Sequence, residues 1–241
     1  VSWHAAGVGV AGASSFIVAG LWERFLGPES AFLFGGLAAL VAMAIAALTM
    51  DGHRPKRGAG GAVLDFRPVF RNRAAMAWIA GYTVHTWELA VLRAWGVTFL
   101  TATATRVGAP TWMPDSTALF TAAGFVGIVV SITGNETAQK RGRAKVVLWA
   151  MTAATIFSVL AGWSTAISLP LATALVLVWN AAIYLDSSAL TAGTVQAAEK
   201  EYRGATMGLH SMAGYAGGFV GPLATGIRSE EHTFELQSRL H

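Results

Sequence analysis

Apolar residues fall in seven long blocks along this chain, at 2–21, 31–50, 74–100, 117–133, 146–162, 168–185 and 205–226, and polar residues gather between them. A helix needs about 20 mostly apolar residues to cross the hydrocarbon of a bilayer, with about 17 to 25 as the working range, and the blocks sit near it. Within a block, apolar and polar residues do not alternate as they would in the strands of a membrane barrel. Helices are then the remaining way to satisfy every backbone N–H and C=O inside lipid. The pattern predicts an all-α membrane protein of about seven transmembrane helices.

The polar stretches carry the orientation. Basic residues crowd the stretch after the second block (Arg54, Lys56, Arg57, Arg67, Arg71, Arg73), the stretch after the fourth (Lys140, Arg141, Arg143, Lys145) and the stretch before the seventh (Lys200, Arg203). Between these lie a connection with Arg106 alone and a turn at 163–167 with no basic residue. Rich and poor connections alternate as a chain threading back and forth requires, and the basic ones belong on the cytoplasmic side. Trp22, Trp112 and Trp163 fall near the outer ends of the blocks and Trp78 and Trp149 near the inner ends, as an aromatic belt predicts. One connection, 51–73, is longer than the rest. Its HRPKRGAGG half reads as a flexible linker, and its VLDFRPVFRNR half as a short amphipathic piece at the membrane surface. The expected organisation is two helices at 1–50, a cytoplasmic linker at 51–73 and a five-helix bundle at 74–227.

Composition agrees with lipid as the solvent: 54% of the 241 residues are hydrophobic and 12% charged, against roughly one quarter charged in soluble domains. With no cysteine there is neither a disulfide framework nor a thiolate metal site. The net charge of +4 lies in the connections, which argues against nucleic acid as a partner. The chain opens at Val1 in a glycine-rich apolar run with no basic leader, so it reads as opened within a helix and not as a signal peptide.

Three stretches carry a family resemblance. GNETAQKRGRAK, after the fourth block, resembles the signature cytoplasmic loop of the major facilitator superfamily of secondary transporters, with Lys140 at its basic position and Gly142 and Arg143 at its closing Gly-Arg. It departs from that pattern at Gln139, where aspartate is usual, and at Gly134, one residue out of register. The stretch from Tyr184 to Gly226, in which Arg203-Gly204 opens a glycine-rich helix, is similar to the family's tenth-to-eleventh helix region, and the basic linker to its inter-bundle loop. The resemblance implies a partial major facilitator fold: the last two helices of the amino-terminal bundle and five of the carboxy-terminal bundle. It also implies a multi-pass inner-membrane protein, monomeric when complete, that moves a small solute by alternating access, alone or with a coupling proton or cation, and needs no cofactor or metal. Lacking most of one bundle, the chain is expected to be inactive alone. A non-transporting membrane sensor or scaffold is the alternative. A membrane enzyme is disfavoured, because only the third block holds more than one ionisable residue at depth.

Those residues are the first site candidates. GYTVHTWELAVLRAW places His85, Glu88 and Arg93 inside an apolar span, where a charge costs at least about 2.5 to 3.5 kcal/mol and normally faces a cavity or partner. His85 and Glu88 are three apart and share a face, while Arg93 points about 140° away from Glu88. Glu88 either lines a transport pathway, placed to hold a coupling proton or cation, or makes an interhelical bond. Arg93 either bonds another helix, snorkels outward or, if it lines a pathway, attracts an anionic substrate. Asn180, mid-block, either contacts substrate or bonds a neighbouring helix. Asp186, at the expected cytoplasmic end of the sixth helix, either pairs with Lys200, Arg203 or the loop of Lys140, Arg141, Gly142 and Arg143 in an inner gate, or is a solvated interfacial acid. In the seventh helix Gly214, Gly217, Gly218 and Gly221 allow close helix packing, and Pro222 can bend it.

Two motifs mislead. Gly7 to Gly12 satisfies GxGxxG without a strand before it, and Asn135-Glu136-Thr137 satisfies the N-glycosylation triplet on the cytoplasmic side. No catalytic constellation is present: the histidines lack metal-ligand spacing and no paired carboxylates share a face. The closing RSEEHTFELQSRLH, 228–241, is polar where a further apolar span is due, and all but Phe234 through Ser238 resembles the conceptual translation of a common sequencing-library adapter. It reads as a non-native tail.

Overall fold

A computed structural model of the chain describes residues 10, 11, 14, 15, 18, 20–22, 24–27, 29–49 and 65–238, with side chains as far as 228. The flexible half of the linker lies outside these residues, as does much of the first block, whose described positions from 10 to 26 are helical. The remaining elements are α1 (Glu29–Thr49), α2 (Arg67–Arg71), α3 (Arg73–Val107), α4 (Ser116–Arg141), α5 (Arg143–Ser164), α6 (Leu169–Ala197), a single 3-10 turn (Lys200–Tyr202) and α7 (Arg203–Ser238). No strand occurs among the described residues.

Local chemistry sets the helix starts. Asn72 Oδ1 accepts the Ala75 N–H at 3.0 Å and Asp115 Oδ1 accepts that of Ala118 at 2.9 Å, each satisfying a donor that helix geometry leaves open. Ser168 caps α6, and proline stands in its first turn, where a missing N–H costs nothing. The Asn72 amide also donates to the Ala197 carbonyl at 2.8 Å, which ties the start of α3 to the end of α6.

The helices outrun the apolar blocks. GNETAQKR, expected in a loop, is helical to Arg141, and the loop shrinks to Gly142 at φ +92°, a left-handed conformation that favours glycine. Likewise α6 runs through Asp186 to Ala197. An apolar block marks the length immersed in hydrocarbon, whereas a helix ends only where a cap or turn stops it; at about 1.5 Å per residue α3 is about 52 Å long, against about 30 Å of hydrocarbon. Nor does α7 stop where the apolar pattern does, at Ile227: its backbone stays helical to Ser238.

Packing places α6 at the centre, against α3, α4 and α5, with α7 laid along α3. One apolar cluster joins Leu92, Leu100, Phe120, Ala154, Val176 and Ile183, and a smaller one joins Ala138, Val146, Ala189 and Leu190. Glycine permits close backbone approach: a methyl group on Gly134 of α4 would collide with the Leu185 carbonyl oxygen of α6. Four described helices, α1, α4, α5 and α6, are long and apolar enough to cross a membrane, and the exposed Phe32 and Leu48 of α1 suit lipid. The polar residues of α3 and α7 have another destination.

Candidate functional site

A cleft of about 920 Å³ opens between α3, α4, α6 and α7. On α3 it is lined by Tyr82, His85, Thr86, Leu89, Ala90, Arg93 and Ala94, and on α7 by Met207, His210, Ser211, Gly214, Tyr215, Gly218 and Phe219. Both sets recur at three and four residues, so each is a single face of its helix. Ser131 of α4 and Tyr184, Ser187, Ser188 and Thr191 of α6 add hydroxyls.

Arg93 and Glu88 part company here. The Arg93 guanidinium donates to the Tyr184 hydroxyl, lies 5.9 Å from the centroid of that ring and lines the cleft. Glu88, about 140° round the same helix, is not among the lining residues; its Oε1 accepts the Trp179 indole N–H at 2.6 Å. Asn180 also stays out of the cleft. Its amide donates to the Ala123 carbonyl at 2.9 Å, a buried bond between α6 and α4.

His85 lines the cleft at 4% exposure, with its Nδ1 2.8 Å from Asp186 Oδ1. Asp186 is 2% exposed and lies within α6, not at its end as expected: the helix continues past it to Ala197, and its ion-pair partner is His85 of α3. Removing two charges or a polar pair from water is tolerable when each compensates the other.

Beside this pair the Tyr82 ring stacks on His210, centroids 3.8 Å apart, with His85 6.0 Å away on the same tyrosine. His210 Nδ1 lies 3.1 Å from Thr194 Oγ1, and Thr194 donates its hydroxyl proton to the Leu190 carbonyl. Sequence reasoning missed His210, Tyr82 and Tyr184. The signal for His210 was present, an ionisable residue within an apolar block, but it stands near the block's start, where a polar residue looks interfacial.

The gate-loop candidates lie apart from the cleft. Arg143 donates to the Gln196 side chain, while Arg141 and Lys145 hold their charges 5.9 and 5.0 Å from the Trp149 ring. Lys140, Gly142 and Arg203 are exposed. The glycines of α7 sit against α3: methyl groups would lie 2.4 Å from Tyr82 at Gly214, 2.5 Å from the Thr83 carbonyl oxygen at Gly217 and 2.9 Å from that of Trp87 at Gly221, whereas at Gly218 the nearest atom is 3.8 Å away. The Pro222 carbonyl accepts the Trp95 indole N–H at 3.0 Å.

The arrangement is a wide, mainly apolar cleft with one guanidinium and several hydroxyls in its wall, and with one lining histidine, His85, backed by the buried Asp186. No curated protein and no solved structure matches the chain significantly. The sequence model of the Major Facilitator Superfamily matches residues 1–222. Nearly the whole chain is covered, and it therefore belongs to that superfamily of membrane transporters.

Proposed function

We propose that this chain supplies the carboxy-terminal side of a secondary transporter that moves a small solute across the inner membrane by alternating access. The observation that carries the reading is the cleft, a mainly apolar volume of about 920 Å³ into which α3, α6 and α7 direct a few converging polar groups, Arg93, His85, Tyr184 and His210, as small-molecule sites do. In this reading the first block and α1 close an amino-terminal bundle, 51–73 is the cytoplasmic linker, and α3 to α7 are five helices of the second bundle. An alternating-access pathway runs between two bundles, and α3 to α7 supply one of its walls.

Of the sequence candidates, Arg93 and His85 face the pathway, while Glu88 and Asn180 brace it from behind. Lys140, Arg141, Gly142, Arg143 and Arg203 belong to the cytoplasmic ends, where their charges keep the basic side inside. A coupling proton has two acidic hosts, Glu88 and Asp186. Asp186 is the better placed, because its partner His85 lines the cleft.

The test is solute counterflow in proteoliposomes, using a version completed to two bundles. Counterflow that Arg93→Ala abolishes while the protein remains folded supports transport through this cleft. A folded, completed protein that moves no solute across a broad panel would leave a membrane sensor or scaffold as the function.

A further inference from the structure

We infer that the cleft selects a small organic monoanion, its acid group held by Arg93 and Tyr184 and its apolar body lying against α3 and α7. The inference rests on the transport reading and adds the chemical class of the solute. Arg93 is permanently charged, and no carboxylate among the described residues lies within ion-pair distance of it. Its hydrogen-bond partner is the neutral Tyr184 hydroxyl. A guanidinium in a membrane span without a counter-ion calls for an anion from elsewhere, and its fork of N–H groups matches the paired oxygens of a carboxylate or phosphate.

Tyr184 contributes a second donor. Its oxygen accepts from Arg93, and its own O–H has no acceptor among the described residues, so that hydrogen is available beside the guanidinium. Its ring packs closely on Gly127 of α4, where a methyl group would lie 2.7 Å from it, so it cannot turn further towards that helix. Charge balance argues for a single negative charge. His85 is matched by Asp186, and His210 is engaged by Thr194 and Tyr82, which leaves Arg93 as the one uncompensated cation in the described wall. Leu89, Ala90, Ala94 and Phe219 provide the apolar part of the lining.

The experiment measures binding to the purified chain in lipid nanodiscs with four probes that share a phenyl body: benzoate, the singly charged diester methyl phenyl phosphate, benzamide and benzylamine. Saturable binding of benzoate, methyl phenyl phosphate or both, without benzamide or benzylamine, is expected, and the first two separate a carboxylate from a phosphate. Arg93→Gln should weaken that binding roughly tenfold or more. Arg93→Lys should recover part of it, and Tyr184→Phe, which keeps the ring and its packing, should lose affinity without losing the fold. Equal binding of the amide or amine, anion binding indifferent to Arg93→Gln, or no binding of either anion to folded chain overturns the assignment. Failure of the transport reading looks different: anions bind with the expected Arg93 dependence, yet the completed protein shows no counterflow. Counterflow of neutral solutes that ignores Arg93 removes this inference and leaves transport standing.

Discussion

Two adjacent glycines in α7 should respond to the same substitution with opposite sign. Gly217→Ala and Gly218→Ala each add one methyl group and each gain up to about 1 kcal/mol of helix propensity. At Gly218 the methyl meets its nearest neighbour, Ala90 Cβ, at 3.8 Å, an ordinary contact. At Gly217 it would lie 2.5 Å from the Thr83 carbonyl oxygen, 3.1 Å from Thr83 Cγ2 and 3.2 Å from Thr86 Oγ1. A carbon approaches a carbonyl oxygen no closer than about 3.3 Å without strain, so α7 and α3 must part by about 0.8 Å. Because the obstructing atom is backbone, no rotamer change relieves it. Forcing an extra methyl into such a seam costs about 1 to 3 kcal/mol. The balance is a gain of up to about 1 kcal/mol for Gly218→Ala and a loss of about 0 to 2 kcal/mol for Gly217→Ala, leaving the two about 1 to 3 kcal/mol apart. Equilibrium unfolding in mixed micelles, followed by circular dichroism as the denaturing detergent is raised, measures the difference. If Gly217→Ala proves as stable as Gly218→Ala, α7 does not lie on α3 in this register.

Three further outcomes follow from individual contacts. His85→Ala and Asp186→Ala should each destabilise by about 1 to 3 kcal/mol, and a double-mutant cycle should give a coupling of about 1 kcal/mol, interhelical polar pairs in membranes being worth less than buried pairs in water-soluble cores; additive costs would mean that the 2.8 Å contact is incidental. Asn72→Ala should lose about 1 kcal/mol for the cap and more for the tie to Ala197, whereas Asn72→Asp keeps the cap and loses only the tie; thermal unfolding of the two variants separates the contributions. Glu88→Gln and Trp179→Phe should each cost stability, about 1 kcal/mol, yet leave benzoate affinity unchanged, since their bond lies off the cleft. Loss of solute binding or counterflow in folded Glu88→Gln would return Glu88 to the pathway.

The legible part of the site was the chemistry on one helix. Three ionisable residues in an apolar span had to be accommodated, and the 140° between Glu88 and Arg93 already implied that they could not share one environment. Which of them faces the cleft was not legible, because that depends on the rotation of α3 about its own axis. The answer came from partners 91 residues away, Trp179 for Glu88 and Tyr184 for Arg93. The burial of Asp186 within α6 was not legible for a related reason. It follows the last apolar run of its block, as an interfacial acid would, and only the arrival of His85 from another helix makes its burial tolerable.

By itself, then, the sequence determined the helical class, four blocks long and apolar enough to span a bilayer, and the superfamily. Each of these is a property of a segment against its solvent: lipid tests every block for apolar length and internal hydrogen bonding, whatever its neighbours. Tertiary structure alone decided where the helices end, that α7 lies on α3 through its glycines, that His210 and Tyr82 join the site, and that Arg93 rather than Glu88 looks into the cleft. These depend on contacts between distant segments, where lipid no longer discriminates one apolar face from another and the small residues and polar partners of the neighbouring helix set the docking.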